Sequence, residues 1–334
     1  MTEHYLALYR KYRPQKFADV VGQTQAVTFL ESSILQKKIS HAYLFCGGRG
    51  TGKTSVARIF ARDIGCNPED IIEIDAASNR GIDEIRELRD AVRTSPFSSP
   101  YKVYIVDEAH MLTKEAANAL LKTLEEPPSH VIFILATTDP EKLPTTIVSR
   151  CQKIVFQVPD VLTLAQRLMY VTEKEGKTLD EDAALLIARH GKGSYRDALG
   201  MLEQVLTTGG KTIAFKDSMS FLGAPERPTL VALLRALCLK NQKEISDTII
   251  MFQKNNVSPL RAYDEFLELV RQGLLIRIGE EKSHDEELAV LSKEYATTIG
   301  SKLILTLLEK RHLLVVSESH AWSAFLAIIL SASE

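Results

Sequence analysis

Gly47-Gly48-Arg49-Gly50-Thr51-Gly52-Lys53-Thr54 sets a lysine and a hydroxyl behind a run of glycines, after the apolar stretch Ala42–Cys46 and before a helix-like segment, Ser55–Arg62. The spacing fits the phosphate loop G-x-x-x-x-G-K-[ST] in the strand-before, helix-after context that the motif needs. Glycines let backbone N–H groups turn inward around phosphate oxygens, and the helix N-terminus adds partial positive charge behind them. Lys53 is expected to reach the β- and γ-phosphates, and Thr54 to place its hydroxyl on Mg²⁺. A glycine-rich turn that binds nothing is the bland alternative, and eight matching positions with the right flanks disfavour it.

A second set of residues could act on what the loop holds. After Lys102 the four apolar residues Val103–Val106 could be a buried strand that delivers Asp107 and Glu108 to its C-terminal end, where ligands sit in parallel α/β sheets. Asp107 is expected to hold Mg²⁺ directly or through water, and Glu108 to polarise the attacking water. An apolar strand ending in Asp-Glu is common in itself; a phosphate loop upstream gives it meaning. Val131–Ala136 is a further buried strand with Thr137-Thr138-Asp139 at its end, where a polar side chain can touch the γ-phosphate or the lytic water. Arg13-Pro14 and Val20-Val21 could form an arm on the adenine ring, or a plain strap over the core; periodicity does not choose between them.

Strands and helices alternate from Thr24 to Phe156. The pattern is that of a parallel sheet covered by helices on both faces. Helices are expected over Thr24–Gln36 and Thr113–Leu124, and strands over Asp70–Asp75 and Ile154–Phe156. Ile82, Ile85, Leu88 and Val92 make a helical stripe whose other face carries Arg86, Arg89 and Arg93. From Pro159 strand signals fade. Asp160–Glu175, Asp180–His190 and Tyr195–Thr207 read as a small three-helix domain broken at Gly191–Ser194. Gly223–Pro228 is the best linker, and Thr229–Ser331 is helical throughout.

At 334 residues the chain is long enough for two or three domains. A composition of 45% hydrophobic and 25% charged residues excludes both disordered and membrane-embedded classes. A net charge of −2 and a pI near 6.5 advertise no global affinity for nucleic acid. Local basic runs remain, with Arg10, Lys11, Arg13 and Lys16 at one place and Arg80, Arg86, Arg89 and Arg93 at another; taken alone, such runs are better read as a solvated face. Cys46, Cys66, Cys151 and Cys238 lack the paired spacing of a disulfide framework or metal knuckle and suit a reducing compartment. With no apolar leader and no run of ~20 apolar residues, a cytoplasmic protein without membrane contact is expected.

Taken together, Arg10–Pro14, Val20–Gln23, the phosphate loop, Glu73–Asn79, Asp107–Met111, Ala136–Asp139 and Ser149-Arg150-Cys151 resemble the gamma/tau family of bacterial DNA polymerase III clamp-loader subunits, within the AAA+ ATPases. The resemblance runs through the chain in order and weakens after Pro225. It implies an α/β fold, an AAA+ P-loop NTPase with a parallel sheet flanked by helices over residues 1–158. A small helical lid domain over 159–222 and an all-helical collar domain over 223–334 follow.

The resemblance further implies an ATPase motor using ATP and Mg²⁺ to load a sliding clamp onto primer–template DNA during replication. Its partners would be delta, delta-prime and further copies of itself. By the same likeness Arg150 resembles an arginine finger presented to ATP on a neighbouring subunit, Arg196 resembles the sensor 2 arginine of the lid, and Thr137 or Thr138 resembles sensor 1. Two other readings compete. One is a non-hydrolysing delta-prime-like scaffold, against which the intact Gly52-Lys53-Thr54 and Asp107-Glu108 speak. The other is a helicase-type AAA+ motor such as a Holliday-junction translocase, which shares the N-terminal arm but not Ser149-Arg150-Cys151.

One departure stands out. Family members usually carry a four-cysteine zinc insertion between the phosphate-loop helix and the Glu-Ile-Asp strand, whereas here Cys66 runs directly into Asn67-Pro68-Glu69-Asp70. A single cysteine cannot hold structural zinc, so no zinc is expected. The tau-type extension of the family is likewise not in this sequence.

Overall fold

The computed structural model describes residues 6–78, 91–208, 210–279, 286–316 and 318–333. These form two compact units, 1–214 and 215–334. The stripe Ile82, Ile85, Leu88 and the arginines Arg80, Arg86 and Arg89 lie outside the described residues. Val92 is buried and Arg93 exposed.

In the first unit five parallel strands, β1 (Ala42–Gly47), β2 (Ile71–Asp75), β3 (Lys102–Asp107), β4 (Val131–Thr137) and β5 (Gln152–Phe156), form a sheet in the order β2-β3-β4-β1-β5. The strand runs read as continuously apolar because both faces are covered. Tyr43, Phe45, Ile105, Ile134 and Phe156 turn to one core with Phe17, Leu30 and Phe60, while Leu44, Tyr104, Val106, Phe133 and Leu135 turn to another with Leu120 and Ile147. The helices on the first face are α2 (Thr24–Leu35) and α3 (Lys53–Asp63), with the short N-terminal α1 (Leu8–Lys11) ahead of them. Those on the second are α4 (Lys114–Glu125) and α5 (Thr145–Val148). Thr113 caps α4 by accepting from the Ala116 N–H at 3.2 Å.

Because all strands are parallel, their C-terminal ends fall together. The register pairs Cys46 with Thr137, Asp75 with Asp107 and Gly47 with Phe156. This brings the phosphate loop, Asp107-Glu108 and Thr137-Thr138 to one edge, although about 90 residues separate the first from the last.

Three further helices, α6 (Val161–Lys174), α7 (Glu181–His190) and α8 (Tyr195–Thr208), complete this unit. A two-residue parallel ladder of Thr178-Leu179 on Thr212-Ile213 joins them. The sequence reads this region as helical only, since two residues are too few to show a period of two. The N-terminal arm is tied to these helices. Lys11 pairs with Glu175 at 2.7 Å, the Tyr12 hydroxyl also donates to Glu175, Arg167 donates to the Tyr12 carbonyl at 2.8 Å, and the Leu8 N–H donates to Glu203 at 3.2 Å. Of the basic run at the N-terminus, Arg10, Lys11 and Lys16 are exposed, Lys11 with an ion pair, while Arg13 is partly buried and lines the cavity described below.

The second unit is helical among its described residues: α9 (Phe215–Leu222), α10 (Arg227–Cys238), α11 (Gln242–Lys254), α12 (Pro259–Ile278), α13 (Glu286–Glu294), α14 (Ser301–Lys310), α15 (His312–Val316) and α16 (Ala321–Ser333). Leu234, Phe252, Phe266 and Phe325 centre its core. Trp322 stacks on Phe325 at 5.8 Å, and Arg311 binds Asp264 through two hydrogen bonds of 2.7 and 2.9 Å. The stretch Gly223–Pro228 lies inside this unit, with Pro228 in the first turn of α10, where its missing N–H costs no helical bond. Among the described residues no helix is long and apolar enough to cross a membrane.

Candidate nucleotide-binding site

The phosphate loop leaves β1 at Gly47 and enters α3 at Lys53, with Gly52 as N-cap at φ +103°. Two of its glycines are demanded by close neighbours. A Cβ on Gly47 would lie 2.4 Å from the Phe156 carbonyl oxygen, and one on Gly50, at φ +70°, would lie 2.1 Å from the Ser194 Oγ. The N–H of Tyr195, first residue of α8, donates to the Gly50 carbonyl at 3.0 Å. Helix α8 is thus fastened directly to the phosphate loop.

Lys53 is buried, and its Nζ donates to the carbonyls of Gly47 and Gly48 at 2.8 and 2.9 Å. Burial lowers its pKa, against the pull of Glu108 and Asp107. The Thr54 hydroxyl donates to Asp107 Oδ2 at 2.7 Å, so the loop's hydroxyl and the carboxylate of β3 meet where they can share one small cation. That donor set suits Mg²⁺, which takes one or two carboxylates and fills its octahedron with waters and phosphate oxygens. Among the described residues, no group of three or more His, Cys, Asp and Glu side chains is arranged to hold a metal.

Glu108 has φ +48° and ψ +43°, a left-handed backbone that a non-glycine residue adopts at a cost of order 1–3 kcal/mol. Its N–H donates to Asp107 Oδ1 at 3.0 Å and its carbonyl accepts from the Met111 N–H at 2.8 Å, which closes the turn. The two threonines at the end of β4 diverge. Thr137 is fully buried, and its Oγ1 accepts from the Asp139 N–H at 3.1 Å and meets His110 Nδ1 at 2.9 Å. The Thr138 hydroxyl lies 3.4 Å from Glu108 Oε2 and 3.1 Å from Asp139 Oδ2.

One cavity joins most of these groups. Arg13, Pro14, Val20, Val21, Arg49 to Thr54, Asp107, Glu108 and Arg196 line it, together with Tyr9, Tyr12, Arg167, Tyr195 and Leu199, which the sequence reading did not single out. Its cations crowd one another: burial first, and then Arg58 and Arg196, lower the pKa of Arg13, whose Nε donates to Ser55 Oγ at 3.1 Å. An anionic ligand relieves that crowding. Arg196 also stands over the Tyr9 ring at 5.9 Å.

Gln23 is a further residue whose place only the structure gives. It is buried, donates to the carbonyls of Thr51 and Gln157 at 3.3 and 2.8 Å, and accepts from the Gln157 N–H at 3.0 Å, which sews the arm to the loop and to the exit from β5. The motif Val20–Gln23 contains this glutamine, but nothing in its spacing says what the side chain holds.

Arg150 does not line the cavity. It follows α5, where its Nη2 pairs with Glu125 Oε1 at 2.6 Å and its Nη1 donates to the Thr146 carbonyl at 2.7 Å, partly exposed. Thr137 and Thr138 do not line the cavity either: Thr138 reaches its wall at Glu108, and Thr137 touches His110.

With this geometry in hand, comparison with known proteins places the chain. Residues 22–80 and 67–160 match the family profile described as DNA polymerase III, delta subunit, and residues 163–211 match that of the DNA polymerase III clamp loader subunit, ATPase lid domain. The chain is 39% identical to DNA polymerase III subunit tau of Bacillus subtilis over 92% of its own length and 60% of that protein. It is 39% identical to the Escherichia coli subunit tau over 82% of its length and 45% of that protein. Against DNA polymerase III subunit gamma of Buchnera aphidicola it is 37% identical over 80% of its length and 79% of that protein. It therefore spans only about half the length of the tau relatives. The Thermotoga maritima RuvB Holliday junction branch migration motor superimposes over 68% of this chain and 79% of that one, with a TM-score of 0.54 at 19% identity, a likeness of fold alone.

Proposed function

The chain belongs to the family of DNA polymerase III gamma and tau subunits, and on that premise we propose that it is an ATP-hydrolysing clamp-loader subunit whose site is built on the phosphate loop and the end of β3. The observation that carries this reading is the contact of Thr54 with Asp107 at 2.7 Å beside buried Lys53 and the left-handed Glu108. A degenerate, non-hydrolysing scaffold has no use for that set.

Bound ATP would supply the scissile phosphoanhydride, and Thr54 and Asp107 would hold a Mg²⁺ ion whose chemistry is to draw charge from the phosphate oxygens. The chain's own groups do the rest. Backbone N–H groups of the loop and the Lys53 ammonium hold the phosphates. Glu108 Oε accepts a proton from the attacking water. Thr138 holds the Glu108 carboxylate and the water side of the site in place, and is favoured over Thr137 because its hydroxyl faces Glu108. Arg196 reaches the phosphates from α8, whose tie to Gly50 makes the lid domain respond to what the loop holds. Arg13, Pro14, Val20 and Val21 cover the base.

Arg150, paired on the protein's flank, serves the ATP of an adjacent subunit in an assembly with delta, delta-prime and further copies, where it stabilises charge at the γ-phosphoryl group. ATP binding opens a sliding clamp at a primer–template junction, and hydrolysis releases it. The boundaries proposed for the nucleotide-binding, lid and collar domains are 158/159 and 222/223. The collar joins subunits through surfaces such as the exposed Leu305 and Leu308 on α14.

Lys53→Ala tests the site: ATP affinity measured by titration should fall below detection, because the variant lacks the one side-chain ammonium at the loop. Parental binding and turnover in that variant would remove the phosphate loop from the account.

A further inference from the structure

Beside the groups already described stands a histidine that the reaction scheme leaves without a task. His110 sits in the short turn Ala109–Met111 after Glu108, and its side chain is 8% exposed. Its Nδ1 lies 2.9 Å from Thr137 Oγ1 and 3.6 Å from Glu108 Oε2, and its Nε2 lies 3.5 Å from Asp139 Oδ2. Asp139 in turn faces Lys142 at 3.5 Å and the Thr138 hydroxyl at 3.1 Å. One imidazole therefore spans the ends of β3 and β4. Whichever tautomer is present, a ring N–H faces an acceptor on one side: Nδ1–H faces Thr137 and Glu108, and Nε2–H faces Asp139.

We propose that His110 is a positioning residue that ties the Glu108 carboxylate to the Thr137–Asp139 turn. The proposal rests on the reading of Glu108 as the base. Glu108 needs such a tie because its left-handed backbone fixes where the side chain starts but not where the carboxylate ends. A carboxylate that swings by an ångström loses its line to the water. Thr138 at 3.4 Å and His110 at 3.6 Å are both long contacts, so neither holds the carboxylate alone, and Thr138 is itself held by Asp139. His110 closes the loop of contacts from Glu108 through Thr137 and Asp139 to Thr138, so the two strand ends move as one unit.

The test uses the full chain under the conditions in which the parent turns over ATP. His110→Ala should keep ATP affinity within about twofold and lower turnover at saturating ATP by about tenfold, a part of the 10²–10⁴ that a general base contributes. In a Glu108→Gln background the same change should cost nothing further, because nothing remains to be aimed. His110→Asn should recover most of the loss, since its amide branches where Nδ1 does and can still reach Thr137. His110→Gln, whose amide falls at the Nε2 position, should not.

The ¹⁵N imidazole signals of His110 should shift in Glu108→Gln in the absence of nucleotide. Parental turnover in His110→Ala, full additivity with Glu108→Gln, or imidazole signals indifferent to Glu108→Gln would each overturn the proposal. A turnover loss that tracks the thermal midpoint in all His110 variants would do the same. A parent that neither binds nor hydrolyses ATP would overturn the role of Glu108 itself, and is told apart because the ring signals still report the contact.

Discussion

At the scale of single residues the site depends on where two carboxylates stand. Asp107 meets Thr54, and Glu108 turns away from it through a strained backbone, so neighbours in sequence are separated in task. Glu108→Gln keeps the shape and the hydrogen-bonding reach of the side chain but removes the base. It should bind ATP like the parent and hydrolyse it roughly 10²–10⁴-fold more slowly, measured as turnover per bound nucleotide. Weaker binding with unchanged turnover per bound nucleotide would make Glu108 structural.

The cysteines belong to this scale too. Burial pushes the thiols of Cys66 and Cys238 up to about 11 and that of Cys151 up to about 12, and the Cys66 thiol donates to the Tyr101 carbonyl at 3.2 Å. Cys66 stands alone where a structural zinc site needs four ligands, so elemental analysis of the purified protein should find no stoichiometric zinc. Zinc that survives mild chelation would contradict this.

At this scale the phosphate loop, Asp107 and Glu108 are legible in the sequence as candidates, because fixed spacing carries them, and the structure brings them to one cavity. It left Thr137 and Thr138 unresolved, since adjacent residues at a strand end face opposite ways and only the strand's register says which faces where. Gln23 and His110 were invisible as site residues. Their importance comes from partners up to 134 residues away.

At the scale of elements, parallel pairing is what gathers the site, and the alternation of strands and helices made that legible. Helix α3 starts at Lys53 rather than Ser55, because the glycine at position 52 caps it and lets the motif's own lysine and threonine form its first turn. The two-residue ladder under the lid helices and the helical place of Pro228 were not legible, the first for lack of length and the second because proline reads alike in a linker and in a first helical turn.

The connection between β2 and β3 makes its own prediction. Asp70 is buried at the head of β2. Burial by itself pushes its carboxyl up, but the N–H groups of Ser98, Phe97 and Ser99 and the Ser99 hydroxyl outweigh this and hold it below the usual carboxylate range. A lowered folded pKa means stability that is complete above the ordinary aspartate range, near pH ~4, and is lost as pH falls through the folded value. Asp70→Asn should therefore cost about 1–3 kcal/mol at neutral pH and flatten the acid limb of stability measured by denaturant titration between about pH 5 and 2. An acid limb identical to the parent's would remove Asp70 from that account.

At the scale of the whole molecule, one unit carries the cavity lined by the phosphate loop and the other is a bundle of helices with apolar side chains such as Leu305 and Leu308 left exposed. Arg150 lies off its own cavity and is paired with Glu125, the position from which we propose it serves a neighbouring subunit. The order of motifs made the family legible from sequence. The geometry of assembly was not, since a single chain's sequence contains no record of which face meets a neighbour.

Mixing two inactive variants tests the inter-subunit site most directly. Arg150→Ala should bind ATP like the parent yet lose turnover in the assembled complex, by as much as ~10³-fold. Lys53→Ala should bind no ATP but still present Arg150. Assembled together, they create interfaces with an intact pocket on one side and an intact arginine on the other, and hydrolysis should return above that of either variant alone. No recovery on mixing, with Arg150→Ala equally impaired in dilute monomers and in assemblies, would mean that Arg150 serves its own pocket and would contradict the account.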